Sequence, residues 1–549
     1  MPTRKQWENK LSESLISEEQ YNQLSEEQKE ESFSSNLAFG TAGIRGKIGL
    51  GPNRLNRFTV QKVAYGLSKY LNEVTDQATV VIAYDTRHFS KEFCDEIAAV
   101  LGSNGITAYI FERYHTTPEL SYSVRHLQAD AGVMITASHN PPEYNGIKIY
   151  GPDGGQMALA GSQKVSSYIN QIDNELNIEV QPLDQLKADG LVKQAHAEVI
   201  ESYKQQVIDL IQDIPQSDLK VVFSSLHGTS VPIIPEILES LNFSNFKLVT
   251  AQCTPDPDFS SVASANPEDH AAFDMAVELA KEQGADLLIA TDPDADRMGV
   301  VAKVGDDFHY LNGNQLGSLL LAYRIEQTEG MKDRAAVKSI VTSELGKVVA
   351  EKNDVKMFDV LTGFKFIAEK IAEFEQNEDY QYIFGYEESY GYMASPFVRD
   401  KDAVQIVPLI IKLASELKNE GKTIVDKMNH IYNTYGHYEE KLFAHTFEGQ
   451  SGKQKIQDIM TKARLDTPSS IAGLKVIAVE DYEAQLRKDD NGESTINLPK
   501  ADVLKFFFSD GWIALRPSGT EPKIKLYVSL LSDEIDEIAE KINAEFFGE

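Results

Sequence analysis

Short apolar runs alternate with helical patterns along most of this chain, and that alternation restricts it to sheets covered by helices. Residues 79–83 read as a strand, 91–101 as a helix, and 107–111 and 132–135 as further strands. The pattern recurs downstream: Pro267 stands where a first helical turn would begin, an amphipathic segment runs to Gln283, Gly284 is placed as a cap, and 286–290 reads as a buried strand. Strands are also expected at 219–223, 339–341 and 382–384. The last segment differs, with strands at 474–479, 503–508, 512–516 and 524–530, little helix between them, and one amphipathic helix at 533–547, which suggests α+β. A Glu-rich stretch at 11–31 reads as a polar helical extension packed lightly on the first domain.

At 549 residues the chain exceeds one core, and about three to five domains are expected. The boundaries read as an extension 1–35, α/β domains 36–192, 193–312 and 313–438, and a final α+β domain 439–549. Hydrophobic residues at 42% and charged residues at 25% are those of an ordinary folded protein. The net charge of −31 argues against nucleic acid or an anionic membrane as partner. Only Cys94 and Cys253 are present, so no disulfide framework or thiolate metal site is indicated. The N-terminus lacks an apolar signal core and no run reaches the length of a membrane span, so a cytoplasmic location is expected, with no obligate protein partner indicated.

Two strings carry the chemistry. Ser138 lies in Ile135-Thr-Ala-Ser-His-Asn-Pro-Pro142, just after an apolar run, and Asp292-Pro-Asp-Ala-Asp-Arg297 falls at the carboxyl end of an expected strand, where α/β sheets place ligands. Asp292, Asp294 and Asp296 alternate, so in extended backbone they share one face and form a hard-oxygen nest suited to Mg²⁺. A serine hydroxyl beside such a cation suggests phosphoryl transfer through a phosphoserine. The bland alternatives are a polar turn at Ser138 and a solvated acidic turn at Asp292. An EF-hand is excluded because Arg297 and Lys303 stand where Gly and Glu are required. A haloacid-dehalogenase nucleophile pair would ordinarily carry Thr or Val where Asp296 stands. Glu387 and Ser389 share a face and could take hydrogen bonds from vicinal sugar hydroxyls; adjacent acids do not suit a glycosidase, whose carboxylates face each other across the scissile bond. Arg516, Ser518, Gly519 and Thr520 form a tight loop able to converge on a dianion. No Walker loop or G-x-G-x-x-G fingerprint occurs.

Four motifs in order, Phe39 to Gly46 with Thr136 to Pro141, Asp292 to Arg297, Gly385 to Gly391, and Arg516 to Pro522, make the chain resemble the α-D-phosphohexomutases, the phosphoglucomutase/phosphomannomutase family, and its long bacterial phosphoglucomutase branch. The resemblance implies three similar mixed-sheet α/β domains plus a C-terminal α+β domain around a central active-site cleft. It implies that Ser138 is phosphorylated and, with Asp292, Asp294 and Asp296, holds Mg²⁺. Arg45 would balance charge on the transferring phosphate, and Lys148 would sit near the reacting hydroxyl, shuttling a proton if burial and nearby cations depress its pKa. His139 is a base, a phosphate contact or a turn residue. Arg297, Thr362, Gly363, Lys365, Glu387, Ser389, Arg399 and Lys401 would seat the sugar, and Arg516, Ser518, Gly519 and Thr520 the non-transferring phosphate. Tyr390-Gly391 departs from the Gly-His of phosphomannomutase-like members and favours glucose phosphate.

The activity so implied is interconversion of glucose 1-phosphate and glucose 6-phosphate through a phosphoserine enzyme, with glucose 1,6-bisphosphate as intermediate and activator. A flexible last domain would close over the sugar and exclude water. The alternatives are mutase action on mannose, glucosamine or pentose phosphates, a phosphatase, and a phosphosugar-binding protein without turnover.

Overall fold

The computed structural model describes residues 2–40, 43–447, 449–518 and 522–548. The chain divides into two compact units, Met1–Asn312 with Ser389–Ile424, and Gly313–Glu388 with Val425–Glu549.

The first unit holds two sheets. In the first, the strand order is Gly43–Lys47, Tyr144–Tyr150, Ala131–Ile135, Thr79–Tyr84, Thr107–Ile110 and Val192–Gln194, antiparallel across the first three and parallel thereafter. All five residues of Ala131–Ile135 are buried, as a strand covered on both faces by helices requires. In the second sheet the order is Asp307–Leu311, Met298–Val304, Leu287–Thr291, Val221–Ser224 and Phe246–Leu248. Leu287–Thr291 is likewise wholly buried, parallel to Val221–Ser224 and antiparallel to Met298–Val304. Both key strands therefore deliver their following loops to carboxyl ends.

The N-terminal extension is anchored more firmly than its composition suggests. Thr3, Ser17 and Ser25 each form a capping box with the Gln three residues on, starting the helices Arg4–Glu8, Glu18–Gln23 and Glu26–Phe33. Trp7 is fully buried, edge-on to Phe33 and Phe58, in a small cluster with Tyr21 and Leu50.

The second unit joins a parallel sheet, Lys356–Val360, Arg334–Ser339 and Gln381–Glu387, to a seven-stranded antiparallel sheet. The latter runs Tyr438–Thr446, Lys523–Leu531, Gly511–Pro517, Leu504–Phe508, Ala478–Asp481, Leu486–Asp489 and Gly492–Thr495, with helices Gly449–Leu465 and Ile535–Phe547. Buried charges fasten the two sheets together. Lys505 Nζ donates to the Ile340 carbonyl at 2.7 Å and lies over the Trp512 ring, whose Nε1 donates to Glu344 at 3.1 Å. Lys338, fully buried, pairs with Asp359 at 2.8 Å.

The structure confirms the α/β architecture and corrects several elements. The helix expected from Pro267 begins at Asp274, after a 3₁₀ turn His270–Phe273, because the Asn266 and Asp269 side chains take the N–H groups of Glu268 and Ala271 and hold the segment in turns. The strand near 339–341 is Arg334–Ser339, and the run at 474–479 splits into Leu474–Lys475, paired with Ser470–Ile471, and Ala478–Asp481. No helix among the described residues is long and apolar enough to cross a membrane.

Candidate active site

The turn between the strands Ala131–Ile135 and Tyr144–Tyr150 carries Ser138 in a left-handed conformation, φ +51°. For a non-glycine residue this is a sparsely populated region and marks a constrained position. The Ser138 N–H donates to Thr136 Oγ1 at 2.8 Å, and the Asn140 N–H donates to the Ala137 carbonyl at 3.1 Å. The hydroxyl then points to a loop 154 residues away, where Ser138 Oγ donates to Asp292 Oδ2 at 2.7 Å. His139 Nδ1 lies 3.2 Å from the same hydroxyl. Burial, with Arg297 and Arg45 nearby, pushes the His139 imidazole down to about 3, so it is neutral at physiological pH.

Asp292 to Arg297 joins two antiparallel strands. The carboxylates converge through a tight loop rather than along extended backbone. Ala295 takes a left-handed φ of +56°, and Asp292 Oδ1 accepts the N–H groups of Asp296 at 3.1 Å and Arg297 at 2.9 Å. One oxygen from each of Asp292, Asp294 and Asp296 lies within 4.8 Å of the others, all three residues buried. Asp294 Oδ1 and Asp296 Oδ1 are buried without a hydrogen-bond partner among the described residues. Converging hard oxygens with unsatisfied lone pairs fit Mg²⁺.

Cations surround this nest. Lys148 Nζ reaches Asp294 at 2.7 Å and Asp296 at 3.2 Å, and Lys401 Nζ reaches Asp296 at 3.2 Å and Asp400 at 3.0 Å. Burial and the two neighbouring carboxylates drive Asp292 well above the usual range. For Asp296 burial acts in the same sense, but Lys148, Lys401 and Arg297 outweigh it and hold the carboxyl low. Lys148 corrects the expectation of a depressed pKa. Its burial does favour the neutral amine, yet Asp294 and Asp296 outweigh that effect and raise it. Arg297 Nη1 donates to Glu268 at 2.5 Å and to the Ser389 carbonyl at 2.9 Å. Arg45, on the edge strand Gly43–Lys47, is exposed and donates to Asn140 Oδ1 at 2.7 Å. Arg399 is buried, with Nη1 turned onto the carbonyls of Pro396 and Val398 in its own loop.

Within the second unit, Glu387 Oε1 accepts the Gly363 N–H at 2.7 Å, and Thr362 Oγ1 is buried without a hydrogen-bond partner among the described residues. Lys365 is the second residue of the adjacent helix, Phe364–Asn377, with Nζ over the Phe366 ring. Glu388 turns the other way, Oε2 accepting from Ser339 and Thr342 hydroxyls, both at 3.1 Å. Arg516 Nη1 lies 3.5 Å from Tyr527 OH, and the Ser518 N–H donates to the Lys523 carbonyl at 2.7 Å. Burial, with Glu388 close by, raises the Tyr527 phenol, which also feels Arg516 and Glu387. Gly519 and Thr520 lie outside the described residues, as do Thr41 and Ala42 of the first motif.

Several residues that hold this site went unnoticed in the sequence. Thr117, the first residue of helix Thr117–His126, donates from Oγ1 to Asp294 Oδ2 at 2.8 Å, and its N–H donates to the Asp294 carbonyl. Asp400 accepts from Tyr150 OH at 2.8 Å and Gln156 Nε2 at 3.1 Å, tying the strand that bears Lys148 to the loop that bears Lys401. Arg87 holds the Ser138 turn. Its signal was a charged Asp85-Thr-Arg87 directly after an apolar strand.

Models of phosphoglucomutase/phosphomannomutase α/β/α domains I, II and III match residues 36–176, 197–305 and 312–435, and the model of the C-terminal domain matches 460–545. A phosphoglucomutase of Staphylococcus epidermidis is 56% identical over 545 residues, covering 99% of both chains. One of Staphylococcus aureus is 53% identical over 548 residues, covering 99% of this chain and 98% of its own. Among solved structures, a putative phosphomannomutase from Thermus thermophilus matches with a TM-score of 0.70 at 21% identity, covering 94% of this chain and all of that one. Parafusin from Paramecium, in its open form, matches with a TM-score of 0.68 at 18% identity, covering 94% and 97%.

Proposed function

Because this chain belongs to the phosphoglucomutase/phosphomannomutase family, we propose that it is an isomerase interconverting glucose 1-phosphate and glucose 6-phosphate, with Ser138 as the phosphoryl carrier. The single observation that carries the reading is the 2.7 Å hydrogen bond from Ser138 Oγ to Asp292, on a loop where Asp294 Oδ1 and Asp296 Oδ1 have no hydrogen-bond partner among the described residues. Asp292, Asp294 and Asp296, with a phosphoryl oxygen on Ser138, would hold Mg²⁺, which when bound supplies positive charge against the transferring group.

The remaining work belongs to side chains. Phospho-Ser138 gives its phosphoryl group to O6 of glucose 1-phosphate, so the Oγ–P bond breaks as the O6–P bond forms. The phosphate on C1 of the resulting bisphosphate then returns to Ser138, releasing glucose 6-phosphate. Arg45 and Lys401 add positive charge around the phosphate in a chain that is otherwise strongly acidic. The O6 proton has two neighbouring acceptors. His139 is already neutral, whereas Lys148 becomes one only where the pull of Asp294 and Asp296 on its ammonium weakens. Glu387 and Ser389 take the sugar hydroxyls, and Arg516 and Ser518 the phosphate that is not in transit. The chain is proposed to work in the cytoplasm on small sugar phosphates.

The test is a panel of glucose, mannose, glucosamine and pentose 1-phosphates with glucose 1,6-bisphosphate and Mg²⁺ supplied, for wild type and Ser138→Ala. Turnover fastest on glucose 1-phosphate and abolished in Ser138→Ala is expected. Full mutase activity without the hydroxyl would end the proposal.

A further inference from the structure

We propose that Thr86 and Arg87 form a positioning bracket that sets the Ser138 hydroxyl against the acidic loop, an inference that rests on Ser138 being the phosphoryl carrier. The Thr86 hydroxyl and the terminal nitrogens of Arg87 all donate to backbone carbonyls. Arg87 follows the strand Thr79–Tyr84, and its side chain is fully buried. Nη1 donates to the carbonyls of Pro141 at 2.9 Å and Tyr144 at 3.0 Å, and Nη2 to those of Ser138 at 2.5 Å and of Asn140. One planar group thus ties down both limbs of the turn, and a guanidinium whose terminal donors face carbonyls has none to spare for a phosphate. Asp85 orients the fork. Its Oδ2 lies 3.3 Å from Arg87 Nε, while Oδ1 accepts the Arg87 N–H at 2.9 Å and the Ser90 hydroxyl at 2.7 Å.

Thr86 reaches the opposite way, donating from Oγ1 to the His227 carbonyl at 2.8 Å. Leu226 and His227 are both left-handed, φ +45° and +66°, a pair that persists only where surroundings impose it. The His227 ring nitrogens lie 2.8 Å from the Thr254 carbonyl and 2.6 Å from Ser261 Oγ. Two residues on, the Thr229 N–H and hydroxyl both donate to the Pro293 carbonyl, at 2.9 and 3.0 Å, inside the acidic loop. Phe259 closes the bracket, with Arg87 over one side of its ring at 4.8 Å and His227 stacked nearby at 6.2 Å. A single dipeptide therefore grips the phosphoserine turn with one side chain and the support of the carboxylate loop with the other.

The experiment compares Arg87→Lys and Thr86→Val with wild type and Ser138→Ala. It measures kcat and KM for glucose 1-phosphate, the Mn²⁺ dissociation constant by electron paramagnetic resonance, and amide hydrogen exchange across residues 136–146. Arg87→Lys keeps a cation beside Asp85 but cannot span four carbonyls. Its kcat is expected to fall about 100-fold with KM changed less than about threefold, and faster exchange to be confined to 136–146. Thr86→Val is expected to weaken Mn²⁺ binding about tenfold while exchange at 136–146 stays as in wild type. Should Arg87→Lys fail to fold, the neutral pair Asp85→Asn with Arg87→Gln takes its place, with the same expected readouts. Wild-type kcat and wild-type exchange in the Arg87 variants, or a loss confined to KM, overturns the bracket. Mutase activity retained in Ser138→Ala overturns the carrier instead, and the exchange and Mn²⁺ results then decide the bracket separately.

Discussion

Asp402 offers the sharpest test of how this chain handles buried charge. It caps the helix Ala403–Asn419, accepting the Gln405 N–H on Oδ1 at 3.0 Å, and it takes the Tyr203 hydroxyl at 2.8 and 2.9 Å. It is fully buried, and burial, opposed by these hydrogen bonds, pushes the carboxyl up from 3.8 to about 7. In the unfolded chain the same group loses its proton near its ordinary value. The native state therefore binds the extra proton between about pH 4 and pH 7, and the stability this contributes is whole below that window and lost as pH rises through it. A rise of about 3 units at about 1.4 kcal/mol each makes the loss about 4 kcal/mol. Asp402→Asn keeps the shape and the capping oxygen but cannot ionise. Urea unfolding of wild type and variant, followed from pH 4.5 to pH 8, should show the variant gaining on wild type across the window and holding a constant lead above it. A difference that stays flat with pH, or one that shrinks as pH rises, would refute the assignment of a protonated buried carboxyl.

Two further perturbations come from packing. A Cβ on Gly228 would lie 2.5 Å from Pro293 Cα and its carbonyl oxygen, so Gly228→Ala must displace the acidic loop; a Mn²⁺ dissociation constant at least about tenfold weaker, read by calorimetry, is expected. Trp7→Ala empties the centre of the N-terminal cluster and should destabilise it by about 3–5 kcal/mol, seen as early proteolytic release of the first helices with catalytic rates unchanged in the intact fraction.

The strands that carry the chemistry were legible because they are buried on both faces and so read as unbroken apolar runs: Ala131–Ile135 before Ser138 and Leu287–Thr291 before Asp292. That these ends meet could be expected from the chemistry of serine and carboxylate, but not from either string alone. The elements left unseen were those with diluted patterns. Tyr438–Thr446, an edge strand with partly exposed alternate residues, contains Glu439, Glu440 and Lys441, and the helix Gly449–Leu465 is rich in Lys and Gln. The support residues were missed for another reason. Arg87 and Thr117 reach carbonyls and carboxylates remote in sequence, and a lone arginine or a helix-starting threonine has the same local appearance whether it faces solvent or a buried acidic loop.

The fastening of the two sheets by Lys505, Trp512 and Glu344 bears on discrimination among sugars. Glu387 and Arg516 both lie in that compact unit, on strands of the two sheets that these contacts hold together. If Glu387 takes the sugar hydroxyls and Arg516 the resting phosphate, as proposed, the interval between the two groups measures the ligand. On that proposal a five-carbon sugar, spanning less of the interval, would reach only one of the two groups, a discrimination by length rather than by a contact made to reject the wrong sugar.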